Sequence, residues 1–149
     1  MIFRTKRLIF PVFLLLLLGN GAEAQSKFAH LKTWVGKYPT DSESKPVRRF
    51  FDLPEVRGPL QKLLDKQDLQ RLTKEYEVET PIELIDNYLF IHVCKPHNCD
   101  GENATLAINI DDGAIHVGMW DGKDKKWQSS SGSYKDLPKK IQESIGSGG

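Results

Sequence analysis

The apolar residues of this chain recur in three rhythms. They are almost unbroken from Leu8 to Leu18, return at helical spacing from Asp52 to Tyr76, and then fall into short runs separated by turn residues. In the helical part, Pro59 suits a first turn, after which Leu60, Leu63 and Leu64 share a face. Asp68 suits the cap of a second piece carrying Leu69, Leu72 and Tyr76, and core packing is the ordinary role for all these apolar side chains. Val78 to Ile85 predicts a strand, Asp86-Asn87 a tight turn, and Tyr88 to Val93 a second strand. This second run is apolar on both faces, as expected of a central strand covered on both sides. Leu106, Ile108 and Ile110 alternate in a strand from Ala104 to Ile110, and Asp111-Asp112-Gly113 is a turn. Ala114 to Trp120 and a short strand around Trp127 complete the run, joined by a turn at Gly122 to Lys125. A closing helix is expected from Asp136, as cap, to Ile145, with Pro138 in its first turn, after a flexible linker at Ser129 to Ser133. Gln25 to Lys45 reads as an extended lead-in with Trp34, Val35 and Tyr38 available to pack, Asp41 to Pro46 as a polar loop, and the final Gly-Ser-Gly-Gly as a disordered end. The order predicts a single α+β domain, an antiparallel meander β-sheet flanked by helices.

The first apolar run has a different meaning. Arg4, Lys6 and Arg7 precede it, and Ala22 and Ala24 place small residues before Gln25. Residues 1–24 are therefore expected to be a cleaved signal peptide and 25–149 the acting domain, in the periplasm. The run is short for a bilayer and Pro11 interrupts it; no later segment is apolar enough to cross a membrane. The chain holds 21 Lys and Arg and 20 Asp and Glu; without Arg4, Lys6, Arg7 and Glu23 these become 18 and 19, a net charge of −1. That balance gives no reason to expect nucleic acid or an anionic membrane as partner. Export also puts Cys94 and Cys99, the two cysteines, in an oxidising compartment, where a disulfide is expected.

The candidate chemistry lies in Cys94-Lys95-Pro96-His97-Asn98-Cys99, directly after the most apolar strand. A disulfide here closes a ring around four residues, and on the chain-entropy argument so small a ring stabilises a fold by only about 2 kcal/mol. It serves better to stiffen shape, and Pro96 adds to this by fixing its own φ and restricting Lys95. A stiff protruding loop displaying Lys95, His97 and Asn98 loses little rotamer freedom on binding, and an imidazole is well suited to face carboxyl groups near neutral pH. Other readings stand beside this one: a hairpin stapled only for stability, a zinc site using both thiolates and the imidazole, or a Cys–His nucleophile. His92 and His116 fall within strands and read as sheet residues, while His30 lies in an unpatterned stretch. Asp100 to Asn103 is loop by composition, Asn103-Ala104-Thr105 is a chance glycosylation sequon, and Trp120 and Trp127 suggest a cross-strand aromatic contact. No cofactor or metal is expected, and no complete acid–base or nucleophile set can be assembled.

At this loop the sequence resembles the Ivy family, bacterial envelope inhibitors of vertebrate lysozyme. The family's signature is Cys-Lys-Pro-His-Asp-Cys; Cys94, Lys95, Pro96, His97 and Cys99 match it, and Asn98 stands where the family has Asp. The likeness covers Tyr88 to Trp120. It implies a sheet flanked by helices, no enzymatic activity, and a braced loop that enters the active-site cleft of a C-type lysozyme. His97 would meet the two catalytic carboxyl groups, with Lys95 and Asn98 as flanks and Cys94–Cys99 as brace. Some members form homodimers, so a second copy of this chain is a further partner the resemblance admits. A regulator of the cell's own peptidoglycan-cleaving enzymes, such as lytic transglycosylases, and a small stapled envelope binding domain remain the alternatives.

Overall fold

A computed structural model describes residues 26–40 and 49–146. The signal peptide, the loop at Asp41 to Pro46 and all but the first residue of the Gly-Ser-Gly-Gly end lie outside the described residues. What is described is an α+β domain: a six-stranded antiparallel sheet with helices on both faces. The strands are β1 (Val78–Glu79), β2 (Glu83–Ile85), β3 (Tyr88–Cys94), β4 (Glu102–Asn109), β5 (Ile115–Asp121) and β6 (Lys125–Ser129). From β2 to β6 each strand pairs with the next in sequence, and β1 continues the β2 edge along β3. The single strand expected over Val78 to Ile85 is thus two short ones. Pro81 falls between them and has no N–H to offer a ladder.

β3 is covered on both sides, as its sequence predicts. Leu89, Ile91 and Val93 meet Leu106, Ile108, Val117 and the helical layer of Phe50, Leu60, Leu72 and Tyr76. On the reverse face Phe90 and Ala107 pack under Leu137 and Ile141. Fully burying one such aliphatic or aromatic side chain stabilises by about 1.5–3 kcal/mol. A one-residue slip of β3 would exchange these two sets, so the register is tightly specified.

The helical layer departs from the sequence reading in detail. The lead-in is not extended: Ala29–Trp34 is a 3₁₀ helix that buries Leu31. α1 (Pro54–Leu63) starts at Pro54, which takes the first-turn position expected of Pro59. Pro59 sits inside the helix and removes one intrahelical hydrogen bond. Asp65, not Asp68, caps α2 (Lys66–Gln70), accepting the Asp68 N–H at 2.8 Å. Asp68 is buried instead, where Arg71, Lys126 and Gln128 surround its carboxylate at 3.3–3.5 Å and tie the helices to β6. Asp136 likewise pairs with Ser133 in a capping box on the 3₁₀ turn Tyr134–Asp136, and α3 (Lys139–Gly146) begins after Pro138. Gly113 has φ +78° and a Cβ there would fall 2.1 Å from the Phe28 ring, so both the turn and the packing need glycine.

After α2 the chain widens into a π turn, with the Tyr76 N–H donating to the Arg71 carbonyl. That turn delivers Tyr76, 1% exposed, into the core, where its hydroxyl donates to the Trp120 carbonyl at 3.3 Å. Burial pushes its phenol up to about 12, against an ordinary value of 10.0. The folded state therefore holds the proton longer than the unfolded chain. Stability is expected to be complete below pH 10 and to fall by about 2–3 kcal/mol as pH rises to about 12. Chemical denaturation of Tyr76→Phe across that range should show the slope reduced.

Candidate functional site

The β3–β4 hairpin carries the Cys94–Cys99 loop at its tip. Its base is set by sheet register, with Cys94 opposite Asn103. The Lys95 N–H donates to the Glu102 carbonyl at 3.0 Å, closing the hairpin. Two turns then follow one another. In the first, the Asn98 N–H donates to the Lys95 carbonyl at 3.0 Å, with Pro96 at the second position and His97 at the third. His97 has φ +65°. Proline followed by a positive φ is the pattern of a type II turn, whose third position favours glycine. In the second, the Asn98 carbonyl accepts from Gly101 and Glu102 at 3.1 and 2.8 Å. The Cys94–Cys99 disulfide, with Cα atoms 4.9 Å apart, spans the first turn.

Several of the loop's polar groups are engaged within it, while the His97 and Asp100 side chains are exposed. Asn103, 6% exposed, donates its side-chain amide to the Cys99 carbonyl at 2.9 Å. Lys95 Nζ lies 2.6 Å from Glu102 Oε1, and Asn98 Nδ2 donates to the same oxygen at 3.0 Å. The Lys95 and Asn98 bonds hold the Glu102 carboxyl below its ordinary range, Lys95 contributing most. Lys95 and Asn98 are exposed, as expected of displayed side chains, but their polar ends are occupied within the loop. His97 is exposed, and among the described residues its ring has no hydrogen-bond, ion-pair or stacking partner. Because Cys94 and Cys99 are bonded to each other, neither supplies the thiolate that a zinc site or a Cys–His nucleophile would need.

Glu102 and Asn103 are not the loop their composition suggested: β4 begins at Glu102. The sequon side chain is engaged in holding the loop. Nothing in the one-dimensional pattern marks Glu102 as a partner of Lys95 and Asn98, although acid and base seven residues apart across a hairpin turn are placed to meet. Asp111 and Asp112 shape a turn, as their Gly113 neighbour implies: Asp112 Oδ1 accepts the Ala114 N–H at 2.8 Å. Trp120 and Trp127 oppose Lys125 and Gly118 rather than one another, and Trp127 stacks on His116. Both line a groove of about 370 Å³ behind the loop, with Asn103, Tyr134 and Ile145; among the described residues no carboxylate lines it. His30 lies in the first 3₁₀ helix with Nε2 3.8 Å from Glu55.

His92 and His116 are sheet residues. His92 Nδ1 is 3.4 Å from the Thr105 hydroxyl and His116 Nδ1 is 2.8 Å from the Ser129 hydroxyl. Burial moves both imidazoles below the ordinary value of 6.5, favouring the neutral ring. In acid the unfolded chain binds protons that the fold resists, so stability is present above about pH 6.5 and lost as pH falls below it. Denaturation at about pH 7, 6 and 5 should show that loss, and His116→Gln should flatten it.

Residues 55–148 match the family model described as inhibitor of vertebrate lysozyme (Ivy). The match takes in α2 and the whole sheet with nearly all of α1, well beyond the Tyr88 to Trp120 likeness. No curated protein and no solved structure matches the chain.

Proposed function

The chain belongs to the Ivy family, whose members are inhibitors rather than enzymes, and from that premise we propose that it is an exported inhibitor of C-type lysozyme acting through the Cys94–Cys99 loop. The observation that carries the reading is His97: an exposed imidazole, without a partner among the described residues, held at positive φ by proline, a turn hydrogen bond and a disulfide. A non-glycine residue at positive φ costs of order 1 kcal/mol or more, and such strain concentrates at functional sites. A retaining glycosidase holds two carboxyl groups about 5 Å apart, one of them protonated. An imidazole has a nitrogen on each side of its ring and can bond both groups at once. Lodged there, His97 would take the place of the scissile sugar linkage, while the clamped backbone keeps ordering costs small. The signal-like residues 1–24 support action in the periplasm, where an incoming lysozyme would be met.

The mature protein is expected to slow lysis of bacterial cell walls by a C-type lysozyme. His97→Ala should weaken inhibition by about 30-fold or more, the scale of a central interface residue. Undiminished inhibition by that variant would remove His97 from its role, and capture of a lytic transglycosylase from envelope extract in place of lysozyme would redirect the target.

His97→Gly separates stability from binding. Glycine adopts positive φ freely, so this variant should match or exceed the parent in thermal stability while inhibiting as poorly as His97→Ala. Paired melting and inhibition curves would check it; a large fall in stability would mean that the imidazole is holding the fold.

A further inference from the structure

We propose that Glu102 is the positioning residue of this loop, and that residue 98 must be an amide because of it. The role of the loop itself rests on the inhibitor reading above. Lys95 and Asn98 are the first and last residues of the turn that holds His97. Glu102 reaches both with a single oxygen, Lys95 Nζ at 2.6 Å and Asn98 Nδ2 at 3.0 Å. It thereby closes the turn from outside the disulfide ring, on the side facing β4. Asn98 is packed to fit: its Oδ1 lies over Gly101, within 2.6 Å of where a Cβ would stand.

Asparagine carries a donor on a side chain of this length, whereas an ionised aspartate only accepts. The family signature has Asp at this position. In this chain the substitution Asn98→Asp would set a second carboxylate at hydrogen-bond distance from Glu102, and two such groups cannot both stay ionised without repulsion. Asn98 and Glu102 are thus a matched donor–acceptor pair in this chain. A further consequence concerns recognition: Lys95 must give up its contact with Glu102 to meet a partner, whereas the exposed His97 imidazole, two chain positions past Lys95, is open to one. The other ionisable groups around Glu102 are Arg71 and Tyr76 from the helical layer and Asp121, its register partner on β5.

The test compares the mature protein with Asn98→Asp, Glu102→Gln and the two combined. Amide exchange of residue 98 is followed by NMR in the free protein, and inhibition of a C-type lysozyme is measured in parallel. At about pH 7, Asn98→Asp should raise exchange and weaken inhibition by about tenfold. Exchange, corrected for its intrinsic pH dependence, should return toward the parent value near about pH 4, where one proton shared between the acids replaces the amide. The double variant exchanges donor for acceptor and should recover both readouts to within about threefold of the parent. Exchange in Asn98→Asp that matches the parent across this pH range, or a double variant no closer to the parent than the single, would overturn the proposal. If exchange follows the cycle but no form inhibits lysozyme, the positioning role stands and the inhibitor reading falls. If the parent inhibits and exchange ignores the cycle, the reverse holds.

Discussion

The burial of β3 on both faces is the constraint from which the rest follows. Leu89, Ile91 and Val93 belong to one apolar layer and Phe90 to the other, so the strand has no alternative register that keeps both sets covered. Register then decides the hairpin. Because Tyr88 faces Asn109 and Cys94 faces Asn103, the chain must turn back within the residues between Cys94 and Glu102. The disulfide does not create this arrangement. It reinforces a turn whose ends the sheet has already brought together, which is why so short a ring can still matter for function.

Within that turn, strain and support are balanced. His97 occupies a backbone region that suits glycine, and several separate restraints keep it there: Pro96, the Lys95–Asn98 hydrogen bond, the cystine, and the Asn103 amide on the Cys99 carbonyl. A glycine would satisfy the turn more easily. On the inhibitor reading proposed above, a bulky polar ring standing there instead, exposed and without a partner among the described residues, is what would separate a recognition tip from an ordinary stapled hairpin.

Electrostatics inside the loop carry the same theme. Glu102 collects the charge of Lys95 and the amide of Asn98, so these three side chains are matched to one another before the tip meets another molecule. A similar arrangement holds Asp68 under β6, where three side chains accommodate one buried carboxylate and join the helical layer to the sheet edge. In both places a single acid ties together segments far apart in function, one shaping a surface and the other fastening the layers.

Elements that depend on local chemistry could be read from the residues alone. The doubly apolar run at Tyr88 to Val93, the alternation from Leu106, the Asp-Asp-Gly turn and the Cys-Lys-Pro-His-Asn-Cys segment were all legible, because side-chain period and turn residues act over a few positions. Boundaries in the helical layer were less so. Pro54 and Asp65 took the roles assigned to Pro59 and Asp68, since several prolines and acids nearby suit the same positions and only packing chooses among them. The folded arrangement was needed to set the company each polar residue keeps: Asp68 under β6, Asn103 on the Cys99 carbonyl, and Glu102 between Lys95 and Asn98. Those pairings depend on which strands lie side by side and in what register, and a linear pattern of apolar and polar positions holds no record of distance across a sheet.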